Sequence, residues 1–143
     1  MKRFSRRIQI VAVWASVLVL SLAAGAPLLA GSQSVDVTVQ QARELVQQRA
    51  GQKDFVILDV RTPEEFADGH LSGAVNVNLL APDFTARLGA LNRGKTYLVY
   101  CRTGHRSTQA VQAMLRLRFR SVYNMVEGIA GWQKRGFSLA RTQ

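Results

Sequence analysis

Short apolar, β-branched runs alternate along this chain with capped helical patterns, and that alternation leaves few folds open. Phe55-Val-Ile-Leu58 and Thr96-Tyr-Leu-Val-Tyr100 are uninterrupted apolar runs bounded by polar residues, the pattern of strands buried on both faces. Residues 122–126 read as a strand, and residues 75–77 as a brief further strand. Between them lie helix signals. Thr38 with Gln41 three residues later matches a capping box, and Ala42, Leu45 and Val46 continue a helical pattern. Thr62-Pro63-Glu64-Glu65 supplies a cap, a first-turn proline and acids at the positive end of the helix dipole. Further helices are expected over residues 82–91, from a cap at Ser107 through Ala110, Val111, Met114 and Leu115, and over residues 129–135, stopped by Gly136. Strands alternating with helices imply an α/β domain: a parallel sheet covered on both sides.

The length, 143 residues, suits one domain. The domain proper is expected over 38–138, after a short linker over 31–37 that opens Gly31-Ser-Gln-Ser34, and before a tail over 139–143. Residues 1–30 read as a targeting segment. Lys2, Arg3, Arg6 and Arg7 are basic, no charged residue follows until Asp36, and an apolar run from Ile8 ends in the small residues Ala23 to Ala26. These are the parts of a secretory signal peptide. Cleavage is expected after Ala26, which Pro27 disfavours, or after Ala30. The uncharged span from Ile8 to Ala30 is 23 residues, so an uncleaved membrane anchor is the alternative. Ser5-Arg6-Arg7 is a weak match to a twin-arginine signal, and the apolar run ends without a lipoprotein cysteine. Either way the domain is expected outside the cytoplasm: periplasmic, or anchored facing the periplasm.

The net charge of +10 suggests an anionic partner, but four of the nineteen basic residues lie in the targeting segment and the rest of the chain carries +6. Arg116, Arg118 and Arg120 supply half of that; they read as a solvated face near a helix C-terminus, with nucleic acid or an anionic membrane as the functional alternative. No nucleic-acid partner is expected, and a membrane only if the N-terminal segment is retained.

The chemistry concentrates in Tyr100-Cys-Arg-Thr-Gly-His-Arg-Ser107, which joins a buried strand to a helix. A single cysteine excludes a disulfide framework and a multi-cysteine zinc site. It stands where the unpaired N–H groups of the following helix point back at the loop. Gly104 lets the loop turn its amides inward as an anion nest, and Arg102 and Arg106 add positive charge. All three features favour the thiolate, the nucleophilic form. An inert core cysteine does not suit so polar a loop.

Two stretches of this sequence resemble the rhodanese (thiosulfate sulfurtransferase) family. Asp59-Val-Arg-Thr-Pro-Glu-Glu-Phe-Ala-Asp-Gly-His-Leu-Ser-Gly-Ala-Val-Asn-Val-Asn78 is similar to its D-V-R…E-F…G-H-I-x-G-A-x-N element, and Cys101 to Ser107 to its active-site loop. The resemblance spans nearly all of residues 36–137, and the exported single-domain form is similar to the periplasmic phage-shock-type rhodaneses. It implies a doubly wound α/β domain in which Cys101 takes sulfane sulfur from thiosulfate or a similar donor and passes it to a thiol or cyanide. The loop from Arg102 through Thr103, Gly104, His105 and Arg106 to Ser107 would cradle the persulfide. A persulfide carrier serving a partner protein is the alternative. Phosphatases and arsenate reductases of related fold use C-x5-R, whereas this loop is C-x4-R, one residue shorter. Glu127 stands where the family often has the first glycine of a pair, which is expected to alter the rim of the site or its local backbone.

Arg106 is the expected holder of the donor's anionic end, with Arg102 tuning the entrance. His105 is expected to be a loop contact, with general-acid work the lesser alternative. Asp59 and Arg61 are expected to pair and order a loop, with substrate contact by Arg61 the lesser alternative. His70 is expected to make a structural hydrogen bond, and Trp132 and Phe137 to pack. With no phosphate-binding glycine motif, dinucleotide fingerprint or metal-ligand spacing, no cofactor and no metal are expected. Oligomeric state is not legible.

Overall fold

A computed structural model describes residues 31–142; the targeting segment expected over residues 1–30 lies outside them. The elements run β1 (Gln33–Val37), α1 (Val39–Arg49), β2 (Phe55–Asp59), α2 (Pro63–Asp68), β3 (Val75–Asn76), α3 (Phe84–Gly89), β4 (Thr96–Tyr100), α4 (His105–Arg116), β5 (Ser121–Met125) and α5 (Gly128–Lys134). The strands form one parallel sheet in the order β1-β5-β4-β2-β3.

Both faces of that sheet are buried, as the apolar runs require. Along β4, Tyr97 and Val99 point to one side with Cys101 just beyond, in a core with Leu58, Met114 and Phe119 under α3 and α4. Leu98 and Tyr100 point to the other, against Val39, Ala42, Ile129 and Trp132 of α1 and α5. Each apolar side chain so buried contributes about 1.5–3 kcal/mol. Thr38 and Thr62 both close the capping boxes that sequence spacing suggests, with Gln41 and Glu65 as their partners.

Four features differ from expectation. The linker over 31–37 is instead largely the edge strand β1, paired in register with β5 from Gln33↔Ser121 to Val37↔Met125. Four of its five residues are exposed, so burial left no apolar run to read, and its backbone bonds alone make it a strand. The tail is tied down through Ala140, whose N–H and C=O bridge His70 at 2.8 and 2.9 Å. Ser107 is not the cap of α4. Gly104 is, and Ser107 lies three residues inside, its hydroxyl donating to the Gly104 carbonyl at 2.9 Å. The helix expected over 82–91 shortens to α3.

α4 ends in a Schellman turn: Phe119 N–H reaches the Met114 carbonyl and Arg118 N–H the Leu115 carbonyl, both at 3.0 Å. The turn places Arg118 at φ +62°, a left-handed conformation that costs a residue with a Cβ about 1 kcal/mol. Arg118→Gly is therefore expected to raise stability by roughly 1 kcal/mol, read as a higher urea midpoint with unchanged slope.

Candidate active site

β2 and β4 are neighbours, yet β2 leads outward to β3 while β4 leads the opposite way to β5. The loops leaving their carboxyl ends diverge, and a crevice opens between them, where ligands of such sheets bind. The register pairs Asp59 with Tyr100, so Asp59-Val-Arg61 and Cys101-Arg102 leave the sheet side by side. A cleft of about 280 Å³ lies here. Arg61, Glu65, Asp68 and Gly69 form its β2 side, Arg102 its β4 side, and Ile129 and Gln133 of α5 its remaining wall.

Cys101 sits beside this cleft, covered to 1 % exposure. The Gly104 N–H donates to its Sγ at 3.1 Å. Burial pushes the thiol up, but the backbone N–H groups of Ser107, Thr103 and Gly104 outweigh that, and the net direction is down, toward thiolate. Of the anion nest expected from sequence, the Gly104 N–H makes the one hydrogen bond to Sγ among the described residues.

Two glycines allow the loop to close against the turn before α5. Gly104 has φ +97°, and a Cβ there would lie 2.1 Å from the Val126 carbonyl oxygen. Gly128 has φ +60°, and its Cβ would lie 2.3 Å from the Arg102 carbonyl oxygen. This proximity lets Ile129 N–H bond the Cys101 carbonyl at 2.9 Å and Ala130 N–H the Arg102 carbonyl at 3.0 Å. Glu127 leaves the local backbone unstrained, because it takes φ −86° and Gly128 alone needs the positive angle. Its carboxylate instead accepts the Val39 N–H at 2.8 Å, joining the start of α1 to that of α5.

The charged residues sort differently from expectation in one respect. Arg106, expected to receive an anionic donor, is held bidentately by Glu65 at 2.7 and 2.8 Å. A guanidinium so paired has spent its planar fork on a carboxylate 41 residues away in sequence, which no local pattern signals. Among the described residues Arg102 pairs with no carboxylate, and it lines the cleft. Asp59 and Arg61 do pair, at 2.6 Å and almost wholly buried, and the Arg61 guanidinium also donates to the Gly69 carbonyl at 2.7 Å and lies over the Tyr100 ring. Arg61 nevertheless reaches the cleft wall, so the substrate-contact alternative retains its geometry. His105 is exposed and pairs with Gln109 rather than lining the cleft. His70 stacks on Phe66 and bonds its carbonyl, a structural use. Trp132 and Phe137 pack edge to face. Sequence reasoning missed Glu65, Asp68, Ile129 and Gln133 as cleft residues; of these only Glu65 carried any signal, and it read as a helix-start acid.

Arg106 holds the Glu65 carboxyl down at about 2, against 4.5 when free. A depressed carboxyl stabilises the fold above its unfolded value and loses that contribution as pH falls through the folded one. The pair is therefore expected to weaken between pH 4.5 and 2, and Glu65→Gln to flatten that part of the melting temperature against pH curve.

The model of the Rhodanese-like domain matches residues 41–135. The chain belongs to the rhodanese-like family. Over 89 residues it is 36% identical to "Thiosulfate sulfurtransferase 16, chloroplastic" of Arabidopsis thaliana, covering 55% of this chain and 74% of that protein. Over 99 residues it is 29% identical to a protein of Allochromatium vinosum named "Sulfurtransferase", covering 68% and 90%. Among solved structures, a rhodanese-related protein from Thermoplasma volcanium superposes with a TM-score of 0.64 at 24% identity, over 75% of this chain and 98% of that one, a likeness of fold.

Proposed function

We propose that this rhodanese-like protein is a sulfurtransferase that moves sulfane sulfur from thiosulfate, or a similar anionic donor, to a thiol or cyanide through a persulfide on Cys101. One observation carries the reading: the sulfur of the only cysteine accepts the Gly104 N–H in a loop whose amides favour its anion, beside a cleft bearing Arg61 and Arg102. The Cys101 thiolate attacks the outer sulfur of thiosulfate. A new S–S bond forms, the donor's S–S bond breaks, and sulfite leaves with the electron pair. The acceptor then attacks the outer persulfide sulfur, and the bond electrons return to Cys101 as thiolate. Charge is conserved in both steps, and the same N–H groups serve each anion. Arg102, unpaired at the cleft, is in this reading the residue that draws in the donor's sulfonate end, while Arg106 orders the loop through Glu65. The basic start and uncharged span of residues 1–30 support a place outside the cytoplasm.

The test is intact-mass analysis after thiosulfate treatment, paired with thiocyanate production from thiosulfate and cyanide. The expected result is an adduct of one sulfur atom, removed by cyanide, with steady turnover. Phosphate-ester hydrolysis at a comparable rate, or an intact fold that takes up no sulfur, would overturn the proposal.

A further inference from the structure

The end of the sheet opposite Cys101 carries a charge pattern that sulfur transfer does not use. Because β1, β2, β4 and β5 are parallel and start in register at Gln33, Phe55, Thr96 and Ser121, the four segments leading into them gather on one face. Backbone bonds join them: Gln33 N–H to the Arg120 carbonyl, Arg120 N–H to the Arg93 carbonyl, and Thr96 N–H to the Asp54 carbonyl. Lys53 stands before β2, Arg93 and Lys95 before β4, and Arg116, Arg118 and Arg120 before β5. All are exposed except Lys95, which is half-buried. Asp54 is the one carboxylate in these segments, and it lies 3.9 Å from Arg49, so the six other cations face solvent uncompensated by neighbours on this face. The remaining eight of the chain's nine carboxylates lie elsewhere, four of them in or beside α2 and the end of β2.

The same face is where the chain comes in. Gly31 and Ser32 are exposed at its edge, and they follow 23 residues without a charge, a span long enough to cross a bilayer. From Ala30 to Gln33 the backbone reaches at most about 10 Å. A membrane at the end of that span would lie within about one Debye length of the six cations, close enough for anionic headgroups to attract them. Cys101, one strand-length away at about 16 Å, would look outward.

We propose that this basic face seats on anionic phospholipid headgroups, orienting the domain with its cleft away from the bilayer.

The test uses the full chain in nanodiscs, in a Cys101→Ser background, with a nitroxide at Gln52→Cys on the basic face or at Ala67→Cys on α2. Far-UV circular dichroism checks that each labelled chain is folded. Collision with a water-soluble nickel chelate is then measured in phosphatidylglycerol-containing discs and in pure phosphatidylcholine discs. The label at position 52 is expected to collide about threefold less often in the anionic discs, with protection lost in about 0.5 M salt, while the label at position 67 stays accessible in both. Adding Arg116→Glu, Arg118→Glu and Arg120→Glu together is expected to abolish the difference. Equal accessibility in the two discs overturns the proposal, as does protection that survives the three reversals. Stronger protection by a soluble oligonucleotide than by anionic lipid also overturns it, in favour of a nucleic-acid surface.

Discussion

Cys101→Ser is expected to abolish thiocyanate production, by roughly 10⁴-fold or more, while leaving the fold as stable as before. Serine fits the same space and keeps a hydroxyl for the loop, so the Gly104 N–H loses little. What is lost is the element that forms a persulfide: no oxygen nucleophile holds sulfane sulfur and hands it on as a thiolate does. The native protein gives the matching measurement. Amides that favour the thiolate lower the thiol's titration point, so the rate of alkylation by iodoacetamide is expected to rise to half its plateau below the value of about 8.5 usual for free cysteine. A midpoint at or above that value would show that burial outweighs the amides. Retained turnover in the serine variant would place the chemistry on another residue.

Asp59→Ala is expected to be the most damaging single change to stability, at about 3–5 kcal/mol. Asp59 has no exposed surface, and its carboxylate takes the Arg61 side chain through Nε at 3.0 Å and Nη2 at 2.6 Å, as well as the Arg61 N–H at 2.9 Å. Removing it strands a guanidinium that is itself 5 % exposed, at a cost comparable to much of a small domain's total stability of about 5–15 kcal/mol. The double variant Asp59→Ala/Arg61→Leu removes both charges and is expected to recover most of the loss, since an absent ion pair costs far less than a broken one. Urea unfolding of the two singles and the double closes the cycle. Equal losses in Asp59→Ala and in the double would mean that the penalty is a packing defect, unrelated to charge.

Local signals carried most of the architecture. β2 and β4 announced themselves as apolar runs because both sheet faces are covered, and Thr38 and Thr62 found cap partners three residues away. The cysteine loop was legible for the same reason: nucleophile, glycine and donors lie within seven residues. Features made by distant partners were not. β1 exists because β5 offers it a backbone edge 88 residues later, and its own side chains are mostly polar. Arg106 looked free because Glu65, 41 residues before it, read only as a helix-start acid. Ser107 looked like a cap because the sequence shows a hydroxyl before an apolar face, whereas the helix is capped three residues earlier, at Gly104.

The bonds from α5 to the Cys101 and Arg102 carbonyls fix more than position. A peptide unit carries its oxygen and its hydrogen on opposite edges, so pinning the oxygens outward commits the polarity of that stretch before any substrate arrives. In the proposed cycle a loaded sulfur would carry its negative charge one S–S bond, about 2 Å, farther out than the empty thiolate does. One rigid set of dipoles would then greet the ion at two depths, and the proposed cycle would turn without the backbone resetting between strokes.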